Sequence, residues 1–443
     1  MLKIDTFTTG RETRFSSFPP LINFRAMKYD VFKELYLGMQ KYIIVSCIVG
    51  ILPLFAQACQ STKNMTLNSA FTTPAQPPIS PGANQTLEYL PQLRGKRVAL
   101  VGNQTSIIFQ DFAQNKFIHL VDSLLSLKVN LVKVFSPEHG FRGNADAGEL
   151  VSNGKDLKTG LPIVSLYGNN KKPKAEQLAD VDIVLFDLQD VGVRFYTYIS
   201  TLHYVMEACA ESKIPIIVLD RPNPNIDIID GPVLEMEHKS FIGMHPVPVL
   251  YGLTIGEYAQ MINGEKWITT ATQLTVIPII NYSRTSRYSL PVPPSPNLRT
   301  DNAIAWYASL CFFEGTVISV GRGTDKPFEQ IGHPDYPNKN YSFTPKPSLG
   351  SKDPLHNGEL CFGINYADSI APRKLSLEPI LRFYQVISSK QGFFLKNNFI
   401  YLLAGNSLLK SQIISGKTEY EIRETWQKKI DIFKSTRALY MLY

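Results

Sequence analysis

From residue 97 onward, short runs of Val, Ile, Leu and Phe alternate with longer stretches of mixed polarity. The apolar runs at 97–101, 129–135, 162–166, 182–187 and 215–219 read as strands, and the segments 117–127 and 199–212 carry the periodicity of amphipathic helices. Strands that are apolar on both faces and separated by helices belong in a parallel sheet covered on both sides. The pattern therefore predicts an α/β fold, a Rossmann-like parallel sheet with helices on both faces, over residues 86–239. Beyond Gly231 the rhythm changes and prolines cluster at 246, 248, 291, 293, 294 and 296. One helix there is well marked: Thr254 and Glu257 have capping-box spacing, and Gly264 supplies a C-terminal stop. Further helices are expected at 375–388 and 419–437 and a strand at 317–320. Residues 240–443 are assigned to a smaller C-terminal auxiliary α+β domain.

The chain before residue 86 has a different character. Lys41 precedes an uncharged, mostly apolar stretch from 43 to 55, then Ala56-Gln57-Ala58-Cys59. Positive charge, a short apolar core, small residues and a cysteine form the layout of a bacterial lipoprotein signal, with Cys59 as the lipidated residue. The apolar stretch is shorter than the ~20 residues a spanning helix needs. Residues 1–58 are thus expected to be a dispensable extension and signal, with Met27 or Met39 a better start for it. Residues 59–85, rich in Ser, Thr, Asn and Pro, read as a flexible tether. The implied location is the periplasm or the outer membrane, with membrane contact only through the lipid. Removing residues 1–58 takes the formal net charge from +7 to +4. No basic run or basic-aromatic stripe points to nucleic acid. Cys209, Cys311 and Cys361 are too widely spaced for a metal knuckle and read as buried free thiols.

The chemistry gathers where strands end. The run at 98–101 leads into Asn103 and Gln104, and that at 131–135 into Glu138, His139 and Arg142. The run at 183–186 leads into Asp187, Asp190 and Arg194, followed by Tyr196 and Tyr198, and that at 216–219 into Asp220, Arg221 and Asn223. In a parallel sheet these loops meet on one edge, where ligands bind. The resulting cleft combines carboxylates, arginines, amides and tyrosines, a set suited to glycosidic hydrolysis. Glu138 is the first candidate: apolar surroundings or a neighbouring carboxylate would raise its pKa and let it act as an acid. The residues leave another reading open, in which Glu138 pairs with Arg142 and pins the loop. Asp187 and Asp220 have a similar alternative, capping the loops that follow them.

Further along, Glu314 precedes the loop Gly321-Arg322-Gly323-Thr324-Asp325. This loop lacks the glycine spacing and Lys-Ser end of a phosphate-binding loop. It offers close backbone approach and a guanidinium fork suited to a carboxylate. Glu314 is a second candidate acid. No cofactor and no resident metal is expected. One alternative remains: a metal-dependent hydrolase using Glu138, His139, Asp187 and Asp220.

Eight ordered motifs carry a family resemblance: 101–106 (VGNQTS), 136–143 (SPEHGFRG), 187–198 (DLQDVGVRFYTY), 219–224 (LDRPNP), 251–257 (YGLTIGE), 293–297 (PPSPN), 313–316 (FEGT) and 321–328 (GRGTDKPF). In these the chain resembles the exo-β-N-acetylmuramidases, the NamZ/YbbC-like glycoside hydrolases. The resemblance implies release of N-acetylmuramic acid from the non-reducing end of peptidoglycan fragments, with Glu138 in the motif carrying the principal catalytic carboxylate; the alternative beside it is a peptidoglycan-binding lipoprotein without activity. It also gives the arginines a purpose, since the lactyl carboxylate of muramic acid suits a bidentate clamp by Arg194, Arg221 or Arg322.

Overall fold

In the computed structural model the described residues are 77–138, 140–142 and 154–443, with the side chains of 388–391 also set aside. The lipoprotein signal, Cys59, most of the tether and His139 lie outside them. Among the described residues no helix is long and apolar enough to cross a membrane.

The centre is a seven-stranded sheet in the order β5-β6-β4-β1-β7-β8-β9. Its members are β1 (Val98–Gly102), β4 (Leu131–Ser136), β5 (Gly154–Lys155), β6 (Pro162–Ser165), β7 (Ile183–Asp187), β8 (Ile216–Leu219) and β9 (Leu274–Ile277). All neighbours are parallel except the edge pair β5 and β6. Counting only the parallel strands along the chain, the spatial order is third, second, first, fourth, fifth, sixth. That is the doubly wound arrangement, in which the chain reverses direction across the sheet between β1 and β7.

Alternation along each strand explains why both faces are covered. Val98, Leu100, Ile183, Leu185, Ile217 and Leu219 enter one buried cluster with Tyr89 and Leu93 of helix Thr86–Leu93 and with Leu120, Val121 and Leu124 of helix Leu120–Ser126. Ala99, Val101, Val184, Phe186, Ile216 and Val218 enter the other, with helices Tyr198–Ser212 and Ile255–Gly264. This second cluster continues without interruption into Phe312, Phe313, Phe383, Ile400 and Trp426 of the C-terminal part. Residues 76–443 accordingly form one compact unit.

The C-terminal part contains helix Asp301–Leu310, helices Glu378–Gln391, Phe399–Ala404, Leu408–Ile414 and Glu419–Arg437, and an antiparallel sheet ordered β10-β12-β11. Its strands are β10 (Gln330–His333), β11 (Ser342–Phe343) and β12 (Cys361–Asn365).

Four expectations change. Residues 117–119 belong to β3 (Lys116–His119), which pairs antiparallel with β2 (Ile107–Asp111); the helix begins only at Leu120, capped by His119. The segment 317–320 makes one isolated bridge, Ser319 with Gly332, and no strand. The parallel sheet does not end before residue 240, because β9 lies at 274–277 and helix Ile255–Gly264 precedes it. The end of the presumed tether is folded: Ser80 bridges Ile280, and Gly82 N donates to Asp220 O at 2.8 Å. A Cβ on Gly82 would sit 2.4 Å from Ile277 O, so only glycine permits this approach.

The capping box forms as its spacing predicts, with Glu257 N donating to Thr254 Oγ1 at 3.2 Å and Thr254 N to the Glu257 carboxylate at 2.9 Å. Thr254 Oγ1 also donates to Asp220 at 2.7 Å. Thr254→Ala removes a cap and leaves a buried carboxylate one donor short. We expect a loss of about 1–2 kcal/mol in denaturant unfolding.

Candidate active site

A cavity of about 210 Å³ opens beyond the carboxyl ends of the parallel strands. The loop after β4 supplies Glu138, the loop after β6 supplies Tyr167, and the segment leading into helix Tyr198–Ser212 supplies Phe195, Tyr196 and Thr197. The C-terminal half of the lining includes Ser295, Asn297, Tyr307, Glu314, Arg322 and Phe328. The charged residues among the described lining are two carboxylates, Glu138 and Glu314, and one cation, Arg322.

Glu138 is held by hydroxyl groups. Thr197 Oγ1 donates to Glu138 Oε2 at 2.8 Å, and Tyr167 also hydrogen-bonds this carboxylate. Burial, reinforced by the charge of Glu138, pushes the Tyr167 hydroxyl well above its ordinary pKa, so it remains a neutral donor. Arg142 does not pair with Glu138. Its guanidinium forks onto Asp156 at 3.1 and 2.7 Å and lies over the Phe141 ring. Glu314 accepts from Arg322 Nε at 2.6 Å and from the Cys311 thiol at 3.4 Å.

Aromatic edges within the lining, and amides behind it, hold the walls rigid. Tyr196 and Tyr198 rings meet at 4.7 Å, Phe195 and Tyr307 at 5.3 Å, and Tyr307 and Phe328 at 4.9 Å, each edge to face. Tyr196 donates to Pro294 O at 2.8 Å, and Asn103 Nδ2 donates to the Tyr198 hydroxyl at 2.6 Å. Gln104 Nε2 reaches the carbonyls of Pro293 and Pro294. Of these two amides from the loop after β1, Gln104 supports the proline-rich segment and Asn103 supports Tyr198, and neither lines the cavity.

The remaining candidates have other work. Asp187 is fully buried and bidentate with Arg221, Nε to Oδ1 at 2.6 Å and Nη2 to Oδ2 at 2.8 Å. This removes Asp187 from the acids open to a substrate and Arg221 from the clamps. Arg194, also fully buried, donates to the carbonyls of Pro232, Val247 and Leu403, and burial lowers its pKa to about 9. It is not available to a lactyl group either. Asp190 accepts from Gly192 N and the Tyr251 hydroxyl, and burial raises its pKa to about 6.

Asp220 accepts from Arg221 N, Thr254 Oγ1, Gly256 N and the Tyr443 hydroxyl, while burial and then Glu257 raise it to about 7. Asn223 bridges Leu253 O and Asn225 N. Thr324 bonds Gly321 O and Gln330, and Asp325 is exposed. A metal site built from Glu138, His139, Asp187 and Asp220 would need Asp187 and Asp220 to give up these partners. Among the described residues, the grouping of His and carboxylate donors close enough to share a metal lies elsewhere, at Glu235, Glu237 and His238, where Glu235 already pairs with Lys429.

The motifs agree with the comparison to known proteins. Residues 98–302 match the family model described as exo-β-N-acetylmuramidase NamZ, N-terminal, and residues 305–443 match its C-terminal counterpart. The chain belongs to the NamZ family. Its relative in Bacillus subtilis (strain 168), peptidoglycan β-N-acetylmuramidase NamZ, is 37% identical over 416 residues, covering 88% of this chain and 95% of that protein. Two DUF1343 family proteins of Bacteroides fragilis NCTC 9343 have similar crystal structures. One is 40% identical with a TM-score of 0.75, covering 83% of this chain and 99% of its own. The other is 29% identical with a TM-score of 0.71, covering 82% and 99%. The two NamZ family models meet at the start of helix Asp301–Leu310, beyond β9, consistent with the sheet extending past residue 240.

Several lining residues escaped the sequence reading. Thr197, Ser295 and Asn297 lie inside motifs already recognised, so that signal was present. Tyr167 and Tyr307 sit in segments with no distinguishing pattern. Asp187→Asn would leave Arg221 buried without its counter-charge. We expect a loss of about 3–5 kcal/mol in stability, measured by urea unfolding, in contrast to a near-neutral effect of Glu138→Gln.

Proposed function

We propose that this NamZ family member is an exo-acting glycosidase that releases N-acetylmuramic acid from the non-reducing end of peptidoglycan fragments, with Glu138 as its principal catalytic carboxylate. The observation that carries the assignment is the position of Glu138: it lies past a parallel strand beside the chain-reversal point, in a cavity whose described lining holds one other carboxylate, Glu314. Hydrolysis at a glycosidic bond requires a proton for the leaving oxygen and stabilisation of the positive charge that grows at the anomeric carbon. Among the described lining residues, Glu138 and Glu314 are the groups able to meet those needs. The hydroxyls of Thr197 and Tyr167 hold the Glu138 carboxylate in one orientation, which reduces the rearrangement needed on reaching the transition state. Glu138→Gln preserves the shape and removes the ionisable group. Its kcat on a chromogenic β-N-acetylmuramide should fall by about 10²–10⁴-fold with the fold intact, and wild-type turnover in the variant would remove Glu138 from the mechanism.

The enzyme works, on this reading, outside the cytoplasmic membrane on a lipid anchor at Cys59. Support comes from the order Lys41, apolar 43–55, Ala58, Cys59, followed by a polar stretch before the folded unit begins. Cys59→Ser should abolish incorporation of labelled palmitate and move the protein from the membrane to the soluble fraction. A wild-type protein that takes up no label would refute the anchor.

A further inference from the structure

We infer that Arg322 determines specificity at this cavity by reading the free lactyl carboxylate that distinguishes N-acetylmuramic acid from N-acetylglucosamine. The inference rests on the muramidase reading and adds the residue that makes it selective. Of the three arginines suited to such a clamp, Arg194 is engaged by three backbone carbonyls and Arg221 by both oxygens of Asp187. Arg322 remains, and it lines the cavity. Its hydrogen bond to Glu314 uses Nε, and neither Nη1 nor Nη2 bonds a described residue. Those two nitrogens form the edge of the guanidinium that is open to a ligand.

Local geometry favours an anion at this guanidinium. Glu138 and Glu314 repel a carboxylate, so an anionic group on the sugar gains only by turning toward the one cation of the described lining. The guanidinium is also fixed before any ligand arrives. It stacks over the Phe328 ring at 5.0 Å, and its backbone is set by Gly321 (φ +75°) and Gly323 (φ +79°). A Cβ at either glycine would lie 2.6–2.7 Å from a backbone carbonyl, of Lys326 or of Lys346. A fork held this rigidly suits planar, bidentate recognition of a carboxylate, and a lysine in its place would lose the second hydrogen bond.

The test pairs a change in the protein with a change in the substrate. Wild type, Arg322→Gln and Arg322→Lys are assayed on a chromogenic β-N-acetylmuramide and on its lactyl methyl ester, which lacks the charge and adds one methyl group. Wild type should prefer the free acid by on the order of 100-fold in kcat/KM. In Arg322→Gln that preference should fall to within a few-fold of unity, with Arg322→Lys between. An unchanged acid-to-ester ratio in Arg322→Gln, at whatever absolute rate, would overturn the inference and leave Arg322 as a positioning residue for Glu314. Absence of discrimination by wild type would overturn it as well. Calorimetric binding of N-acetylmuramic acid and its methyl ester gives the same ratio for a variant too slow to assay. Failure of the muramidase reading has a separate signature, in which wild type turns over neither glycoside.

Discussion

The buried ion pair between Asp187 and Arg221 is the constraint on which the site is built. Asp187 closes β7 and Arg221 follows β8, so the pair joins two neighbouring strands at their carboxyl ends. Arg221 Nη2 also donates to Ile107 O, and Ser106 Oγ donates to Asp187 O at 2.6 Å, which brings the loop after β1 onto the same point. Three loops at the reversal of the sheet are thereby locked to one another. Such a pair contributes little net stability over an apolar replacement, but either partner alone would be an uncompensated buried charge. Its effect is to exclude other loop arrangements.

What stands on that base is a cavity with divided ownership. The sheet edge supplies Glu138 with Thr197 and Tyr167, and the C-terminal part supplies Glu314 and Arg322. Arg194 holds the two halves in register, since one guanidinium binds carbonyls at Pro232 and Val247 and another at Leu403. Arg423 does the same at Asp230, and the Tyr443 hydroxyl reaches Asp220. A single apolar cluster runs through both halves. The two carboxylates of the described lining therefore belong to one rigid frame.

Much of the fold was legible because it is written in local periodicity. Five apolar runs became five strands of the parallel sheet, and the capping box at Thr254 started a helix where expected. The errors have local causes too. Residues 117–119 satisfy a helical pattern but are claimed by pairing with 107–109, and 317–320 has strand composition without a neighbour along its length. β9 does not stand out in the sequence because it follows a helix in a proline-rich region.

At the site, the sequence alone determined which residues stand at strand ends, since strand length and loop position are local properties. That was enough to single out Glu138. It could not separate Arg322 from Arg194 and Arg221, or Glu314 from Asp187, because all of these residues are charged and all lie near glycines, aromatics or strand ends. Their difference lies in partners distant in the chain: Arg221 is 34 residues from Asp187, Arg194 is 209 from Leu403, and Thr197 is 59 from Glu138. A charged group meets a ligand only where the fold leaves part of its hydrogen-bonding edge open to a cavity, as it leaves Nη1 and Nη2 of Arg322, and packing between distant segments decides that.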